Sequence, residues 1–339
     1  AGDVVEYHRP PWREPDAPLS LVILHKDSDL LVVRKPSGLP VLPSEMYWEK
    51  TVLQTLRRWY PPDALPSPVH RLGVGTSGVL LCAVTNDARR ALGRALQERQ
   101  VSKTYRALVR GAVESDAFEV NVPIGPVPHS SWGGSVHGAV PGGGGGAKHA
   151  LSLVRVVRRN HEAGQTLVEV NIPTGRAHQI RIHMAFAGHP LVGDPLYEVG
   201  GRPRPPSDYE EGGEREGERP ALPRDTGYLL HALRAELAHP TSGERLTICA
   251  APPEELCAVD EAPFDESEGE HVNACEAAAV VHTNAESTTI GGDIEGVVQL
   301  APSPDGGGAQ QEQHVEVDSG EHQEAPAPRK RKPDHRGVF

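Results

Sequence analysis

The residues Val69 to Ala83, VHRLGVGTSGVLLCA, place a glycine-rich loop directly before an apolar run that is typical of a buried β-strand. Gly73, Gly75 and Gly78 have the GxGxxG spacing of a dinucleotide-binding loop. That fingerprint follows a strand and opens a helix. Here prolines precede the loop and a strand-like run follows it, so the context argues against a dinucleotide site.

Patterns on both sides of this segment predict a mixed α/β body. Ser20 to Val41 has two apolar runs around the turn HKDSD, which predicts a β-hairpin. Thr51 to Tyr60 has helical spacing, and Asn86 can cap a second helix from Asp87 to about Gln100. Further runs predict strands at 102–111, 151–157, 166–172, 179–184, 229–237 and 244–250. The expected fold class is therefore α/β (α+β), with a mixed, mainly antiparallel sheet.

Composition divides the chain into three parts. Residues 1–19 form an N-terminal extension, and residues 20–257 hold the periodic apolar segments of one domain. Two stretches, 129–148 with its five consecutive glycines and 200–226, are expected to be flexible insertions. Residues 258–339 have little apolar periodicity, so we expect a disordered acidic tail with a basic end.

The formal net charge of -12 comes from this tail. Residues 260–328 contain sixteen Asp and Glu and no Lys or Arg, whereas PRKRKP follows close to the C-terminus. The body is therefore near neutral, and the net charge does not exclude a nucleic-acid partner. PRKRKP is compatible with a nuclear address, a phosphate-binding patch or a solvated tail, and these alternatives stay open.

No apolar run approaches the roughly 20 residues that a bilayer span requires, so we expect a soluble intracellular protein without a membrane partner. The four cysteines form no CxxC pair, which favours a reducing compartment and no zinc site. Because the chain begins at Ala1, an organellar transit segment is not excluded. We expect a monomer.

Two segments resemble motifs of the RluA-type RNA pseudouridine synthases. Residues 70–78, HRLGVGTSG, resemble HRLDxxTSG, and residues 174–197, TGRAHQIRIHMAFAGHPLVGDPLY, are similar to TGRxHQIRxH followed by GHPIxGDxxY. Weaker matches begin at Lys35, Ser102, Val122 and Leu229. The resemblance covers roughly residues 20 to 256. It implies the pseudouridine synthase fold, with two subdomains around an RNA-binding cleft, and isomerisation of uridine in tRNA or rRNA without metal or cofactor.

The resemblance also implies roles for individual residues. An enzyme that acts on a base within structured RNA must unstack it. Arg71 would fill the gap, since a guanidinium can stack and also pair with phosphate. Tyr105 would pack against the target ring and would form the catalytic set together with Arg181 and position 73. Taken alone, an arginine in a loop is commonly solvated and a strand tyrosine is commonly core. Further implied RNA-binding residues are His70, Thr76, Ser77, Arg176 and His178.

One position departs from the family pattern. The catalytic aspartate that follows HRL in the family is Gly73 here, and residues 64–86 contain no Asp or Glu. Arg181 corresponds to the arginine that pairs with this aspartate, so we expect it to face water, to bind an RNA phosphate or to pair with a replacement carboxylate. We interpret Asp194 as a structural residue that orients a turn.

Three hypotheses follow: an active synthase with a displaced carboxylate, a catalytically impaired relative that binds or folds RNA, and an unrelated nucleotide-binding enzyme. The retained Arg71, Tyr105, Thr76 and Ser77 favour the first. His178 and His183 lie five residues apart on a predicted strand, which would place them on opposite faces. We therefore expect no metal site.

Overall fold

An eleven-stranded sheet forms the centre of the computed structural model, which describes residues 13–44, 46–129, 134–209, 211–212, 216, 218–263 and 271–272. In chain order the described strands are β1 (Leu21–Lys26), β2 (Leu30–Lys35), β3 (Ser67–Pro68), β4 (Ser77–Ala83), β5 (Ser102–Arg110), β6 (Ala117–Asn121), β7 (Ile124–His129), β8 (Gly134–Ala139), β9 (Leu151–Asn160), β10 (Gln165–Asn171), β11 (Tyr197–Glu198), β12 (Arg202–Pro203), β13 (Leu230–Ala238), β14 (Arg245–Cys249) and β15 (His271–Val272). The helices are α1 (Val52–Trp59), α2 (Asn86–Gln97) and α3 (Gln179–Phe186), with 3-10 turns at Pro62–Ala64, Pro206–Tyr209 and Glu254–Leu256.

The expected mixed, mainly antiparallel sheet is confirmed. Its order is β15-β1-β2-β4-β13-β5-β10-β9-β6, with β14 paired to β13 and β3 paired to β4, while β7–β8 and β11–β12 form two small sheets. Among the described strand pairs, the pair of β4 and β13 is the parallel one. In it, His231 lies opposite Ser77 and Ala232 lies opposite Gly78. A β-carbon on Gly78 would lie 2.2 Å from the Ala232 carbonyl oxygen, so only glycine allows this close approach.

The sheet buries both faces where β2 and β4 run. Along β2, Leu31 and Val33 belong to one hydrophobic cluster, whereas Leu30 and Val32 belong to another. Successive side chains of a strand point to opposite faces, so a strand covered on both sides is apolar at every position. This explains why the sequence pattern of both strands is a continuous apolar run.

Threonines begin the first two helices. The Thr51 hydroxyl oxygen accepts from the Gln54 amide at 3.2 Å at the start of α1. At α2, Thr85 makes the same contact with the Ala88 amide, and Asn86 is the first helical residue. The prediction that Asn86 caps α2 is therefore wrong by one residue, because the threonine hydroxyl has already satisfied the free amide of the first turn.

The prediction of a strand at residues 179–184 is also wrong, because Gln179–Phe186 is helix α3. Seven of its eight residues are buried, so the segment has no polar face to produce a helical periodicity. His178, which precedes the helix, has a left-handed backbone with φ of 55°. His178 and His183 are consequently not on opposite faces of a strand.

The structure adds regular elements to three segments that we expected to be flexible or disordered. Residues 134–139 form β8, and Val136 and Ala139 pack with Ile182 of α3 in a third hydrophobic cluster. Residues 202–203 form β12. In the predicted tail, β15 pairs with β1, and the Glu261 carboxylate lies 2.8 Å from the buried Arg106 guanidinium. A buried arginine requires such partners, so the contact with Arg106 explains why the chain stays packed against the sheet as far as Glu261.

None of the helices in the described part of the chain is long and apolar enough to cross a membrane. Contacts divide the chain after Ala285, and the unit Glu286–Phe339 lies outside the described residues.

Candidate active site

A cavity of about 600 Å3 opens where the start of β13, the start of α3 and the loop before β4 meet. We call residues 70–76, which lead into β4, the HRLG loop. Four arginines lie in the walls of the cavity, and none of the described lining residues is Asp or Glu. Positive charge in a concave site favours an anionic ligand such as a nucleic-acid backbone. The arginines are Arg71, Arg176, Arg181 and Arg224.

The buried Lys35 side chain holds the HRLG loop in place. Its ammonium donates to the carbonyl oxygens of Pro36, Leu39 and Val74 at 2.9, 2.8 and 3.0 Å. Burial lowers the pKa of Lys35 to about 7. The Ser37 hydroxyl also donates to the Gly75 carbonyl at 2.8 Å. The bonds to Val74 and Gly75 fix the backbone of the loop directly after position 73, where the family motif has its aspartate.

Gly73 is a glycine for reasons of space and not of backbone conformation. Its φ is not in the left-handed region. A β-carbon at this position would lie 2.6 Å from the Tyr228 hydroxyl oxygen and 3.2 Å from the Thr76 hydroxyl oxygen. Real β-carbons do not approach other atoms to 2.6 Å. The side chain of Tyr228 therefore occupies the space that an aspartate at position 73 would need.

Arg181 pairs with a carboxylate, and that carboxylate is Asp194. The guanidinium donates to both carboxylate oxygens, at 2.6 Å from Nε and 2.7 Å from Nη2. Burial opposes the charged form of Arg181, but the hydrogen bonds and charge of Asp194 outweigh it and raise the pKa of the guanidinium. Of the three expected alternatives for Arg181, the structure has the ion pair.

Asp194 is itself fully engaged. Its Oδ1 also accepts from the amides of Leu196 and Tyr197, at 2.8 and 3.0 Å. The residue is buried and does not belong to the cavity wall, whereas Arg181 does. The interpretation of Asp194 as a residue that orients a turn agrees with these contacts. Four accepted hydrogen bonds hold this carboxylate in the interior, away from the cavity wall where a substrate would lie.

Two tyrosine rings cover the guanidinium of Arg181. The guanidinium carbon lies 4.1 Å from the ring centre of Tyr228 and 5.0 Å from that of Tyr197. Such stacking on a ring face is favourable in the absence of water. Tyr228 and Tyr105 both line the cavity, and burial raises the pKa of Tyr105. The cavity thus has two phenol groups, one of which rests on a fixed positive charge.

His178 lines the cavity in one defined protonation state. The Tyr197 hydroxyl donates its single hydrogen to the His137 carbonyl at 2.8 Å. The His178 Nδ1, 2.9 Å from the same hydroxyl oxygen, must therefore be the donor of that hydrogen bond. Burial, followed by the charge of Arg181, lowers the pKa of His178 to about 3. The ring is neutral, and its Nε2 is a hydrogen-bond acceptor.

The cavity brings together most, but not all, of the predicted site residues. Gly73, Thr76 and Tyr105 line it with Arg71, Arg176, His178 and Arg181, whereas His70 and Ser77 do not. The His70 Nε2 accepts from the Leu81 amide at 3.0 Å. The Ser77 hydroxyl lies 2.8 Å from Nδ1 of His231, whose Nε2 donates to the Ala250 carbonyl. These two contacts hold strands in place.

Sequence reasoning did not identify Tyr228, Arg224 and His137 as site residues. Tyr228 stands two positions before β13 in the segment GYLLHALRA. An aromatic residue at the entrance of a buried strand is a weak signal, because most such residues are core. Arg224 and His137 lie in segments that were expected to be flexible insertions, so their place in the site depends on the tertiary fold.

Within the described residues, no group of three or more His, Cys, Asp or Glu is placed to hold a metal ion. His183 makes two other contacts, with the Ser152 hydroxyl and the Val122 carbonyl, each at 2.9 Å. Its nitrogens are therefore engaged in holding α3 against its neighbours.

Comparison with known proteins gives consistent matches. Residues 29–186 match the family model of RNA pseudouridylate synthase. The chain is 40% identical over 289 residues to RNA pseudouridine synthase 5 of Oryza sativa subsp. japonica, which covers 74% of this chain and 72% of the relative. It is 40% identical over 260 residues to an uncharacterized RNA pseudouridine synthase of Synechocystis sp., which covers 76% and 81%. The solved structure of human RNA pseudouridylate synthase domain containing 1 is similar with a TM-score of 0.52 and 26% identity, over 71% of this chain and 87% of that one.

Proposed function

The chain belongs to the RNA pseudouridine synthase family, and we propose from this that it isomerises uridine to pseudouridine within a structured RNA. The observation that carries the proposal is the cavity in which Arg71, Tyr105 and Arg181 meet from the HRLG loop, β5 and α3. Its volume of about 600 Å3 falls in the range of small-ligand sites. It can receive a single nucleotide that has left the base stack.

RNA binding is supported by the charge of the cavity walls. Arg71 is exposed at the HRLG loop, and Arg176 lines the cavity while its Nε donates to the His149 carbonyl at 2.9 Å. Both guanidinium groups can contact RNA phosphates, which accept hydrogen bonds from arginine in fork geometry. Tyr105 presents a ring on which a uracil can stack.

The reaction breaks the bond between uracil N1 and the sugar carbon C1′ and joins C1′ to uracil C5. One proton leaves C5 and one arrives at N1, so the isomerisation is neutral overall and consumes no second substrate. Arg181, fixed by Asp194, supplies a constant positive charge beside the reacting groups. The apolar parts of the wall, such as Leu72 and Ile180, limit the access of water to the broken glycosidic bond.

We propose a transfer RNA or a ribosomal RNA as the substrate. Both are structured, and both expose loops from which a uridine can be extruded. We further propose that one copy of the chain is sufficient, since the HRLG loop, β5, α3 and Tyr228 all belong to the same polypeptide.

The test is direct. The full chain is incubated with unmodified transcripts of transfer RNA and of large-subunit ribosomal RNA, and pseudouridine is measured by mass spectrometry of the digested nucleosides. Wild-type protein should form pseudouridine in at least one transcript, and Arg181→Met should form at least about 100-fold less, as expected for a lost electrostatic contact at a reacting centre. If the protein binds RNA but forms no pseudouridine, the result would support a second candidate function, RNA binding without turnover. The glycine at position 73 is the observation that favours this second function.

A further inference from the structure

The cavity lacks a carboxylate among its described lining residues, yet its chemistry requires a group that transfers protons. We propose that the hydroxyl of Tyr228 is this group, so that a phenol works at the place where the family motif has an aspartate. The inference rests on the proposed function, and it assigns a catalytic residue to it.

Position is the first support. The Tyr228 oxygen lies within 2.6 Å of the point where a β-carbon of residue 73 would stand, which puts the phenol at the base of the HRLG loop. The side chain is buried in the protein but lines the cavity. Among the described residues, the contact recorded for its hydroxyl is with the Thr76 hydroxyl at 3.4 Å, which is too long for a strong hydrogen bond. The phenol hydrogen is therefore available to a substrate.

The surroundings of the ring are the second support. The Arg181 guanidinium lies 4.1 Å from the ring centre of Tyr228 and is fixed by its two bonds to Asp194. A nearby fixed cation stabilises a phenolate that forms for a short time. Tyr105, the other phenol of the cavity, has no such arginine contact among the described residues, and stacking on the base is the role that suits it.

The chemistry balances with this one group. As the bond between N1 and C1′ breaks, its electron pair stays on N1, which takes the phenol proton and leaves a tyrosinate and a sugar cation. The base then turns, and the electron pair of its C5–C6 double bond forms the new bond from C5 to C1′. The tyrosinate removes the proton from C5, which restores the double bond of the base and the neutral phenol. Nothing is oxidised or reduced, and no co-reactant is needed.

The experiment compares wild type, Tyr228→Phe and, as a matched loss of a hydroxyl, Tyr60→Phe, whose ring lies outside the cavity lining. Single-turnover rates on an RNA that wild type modifies are measured with the dissociation constant and the thermal midpoint. Tyr228→Phe should lower the rate at least about 100-fold, the lower range for proton transfer by a side chain. Its RNA affinity and midpoint should stay near wild type, and Tyr60→Phe should keep the wild-type rate.

A pH profile separates proton transfer from a merely structural role. A fluorinated tyrosine, whose phenol is a stronger acid, should change the pH profile of the rate when it stands at position 228 and should leave the profile unchanged when it stands at position 60. A Tyr228→Phe variant that keeps the wild-type rate, or an unmoved profile with the fluorinated tyrosine at position 228, would overturn the inference while leaving the proposed function intact. A wild-type protein that makes no pseudouridine in any RNA would overturn both.

Discussion

Gly73 and Tyr228 share one space: a β-carbon on the glycine would lie 2.6 Å from the tyrosine hydroxyl oxygen. The two positions are far apart in the sequence but meet at the cavity. The absence of a side chain at position 73 and the presence of a tyrosine at position 228 are therefore one structural arrangement. A change at either position alters what the other can tolerate.

This relationship predicts a non-additive pair of substitutions. Gly73→Asp alone should destabilise the protein, because the new side chain overlaps the Tyr228 hydroxyl. Gly73→Asp combined with Tyr228→Phe should be more stable than the sum of the single effects by about 0.5 to 3 kcal/mol, the range for residues in contact. Denaturant unfolding of the four proteins measures this coupling. Strictly additive effects would show that the two side chains do not compete.

Breaking the buried Arg181–Asp194 ion pair should lower the free energy of unfolding by a large amount. Asp194→Asn leaves a buried guanidinium without its counter-charge, and breaking such a pair costs about 3 to 5 kcal/mol. Asp87→Asn is the matched control, since the Arg90–Asp87 pair is exposed and should contribute less than about 1 kcal/mol. Free energies of unfolding from urea titrations provide the comparison. Equal losses in the two variants would contradict the structural role of Asp194.

His231 predicts a dependence of stability on pH. Burial lowers its pKa from 6.5 to about 4. The unfolded chain takes up a proton near pH 6.5 and the folded chain only near pH 4, so the stability that neutral His231 contributes is present above pH 6.5 and is lost as pH falls toward 4. Thermal midpoints over this range should fall less steeply in His231→Gln than in wild type. The exposed His161, changed to Gln, should leave the slope unaltered.

RNA affinity should depend on Tyr105 and Arg71 in different ways. Tyr105→Ala should weaken binding by about 1 to 3 kcal/mol at all salt concentrations, because it removes a stacking surface. Arg71→Gln should weaken binding more at low salt and should reduce the slope of log affinity against log salt by about 1. Arg94→Gln, on the exposed side of α2, is the control for lost charge. A Tyr105→Ala protein with wild-type affinity would remove Tyr105 from the binding surface.

The borders of the folded domain can be tested by truncation. The Glu14 carboxylate accepts from the amides of Trp48, Glu49 and Lys50, and Arg106 bonds to Glu261. A chain of residues 13–272 should therefore unfold at a higher temperature than one of residues 20–257, although both should be cooperative. Calorimetry of the two chains decides the matter. Identical midpoints would mean that the flanking segments contribute nothing.

The sheet could be predicted from sequence because its strands are long and their patterns are local. The runs that became β2 and β4 are apolar over most of their length, and the turns between elements contain the expected glycines and prolines. Helix α3 could not be predicted in this way, because burial on all sides removes the periodicity that distinguishes a helix from a strand.

Site residues that lie in family-like motifs could be predicted from the sequence. Site residues that only the tertiary structure brings to the cavity could not. Arg71, Tyr105 and Arg181 lie in segments that resemble the family motifs, and they line one cavity. From the sequence, three surroundings were open for Arg181: water, an RNA phosphate or a carboxylate. Only the fold shows that Asp194 reaches the guanidinium. Tyr228 could not be assigned, because its value to the site comes from standing beside a glycine that belongs to another segment.

The parallel pairing of β4 with β13 determines when this protein can become functional during its synthesis. Ser77 and His231, which meet across that pair, are separated by 154 positions. A ribosome must therefore release nearly the whole domain before the centre of the sheet can close. Until then the apolar strand β4 lacks β13, its neighbour on one side, and the unpaired strand edge favours aggregation of the nascent chain. Translation must have passed Tyr228 and β13 before this wall of the cavity is present, so a nascent chain that ends before β13 lacks a complete site.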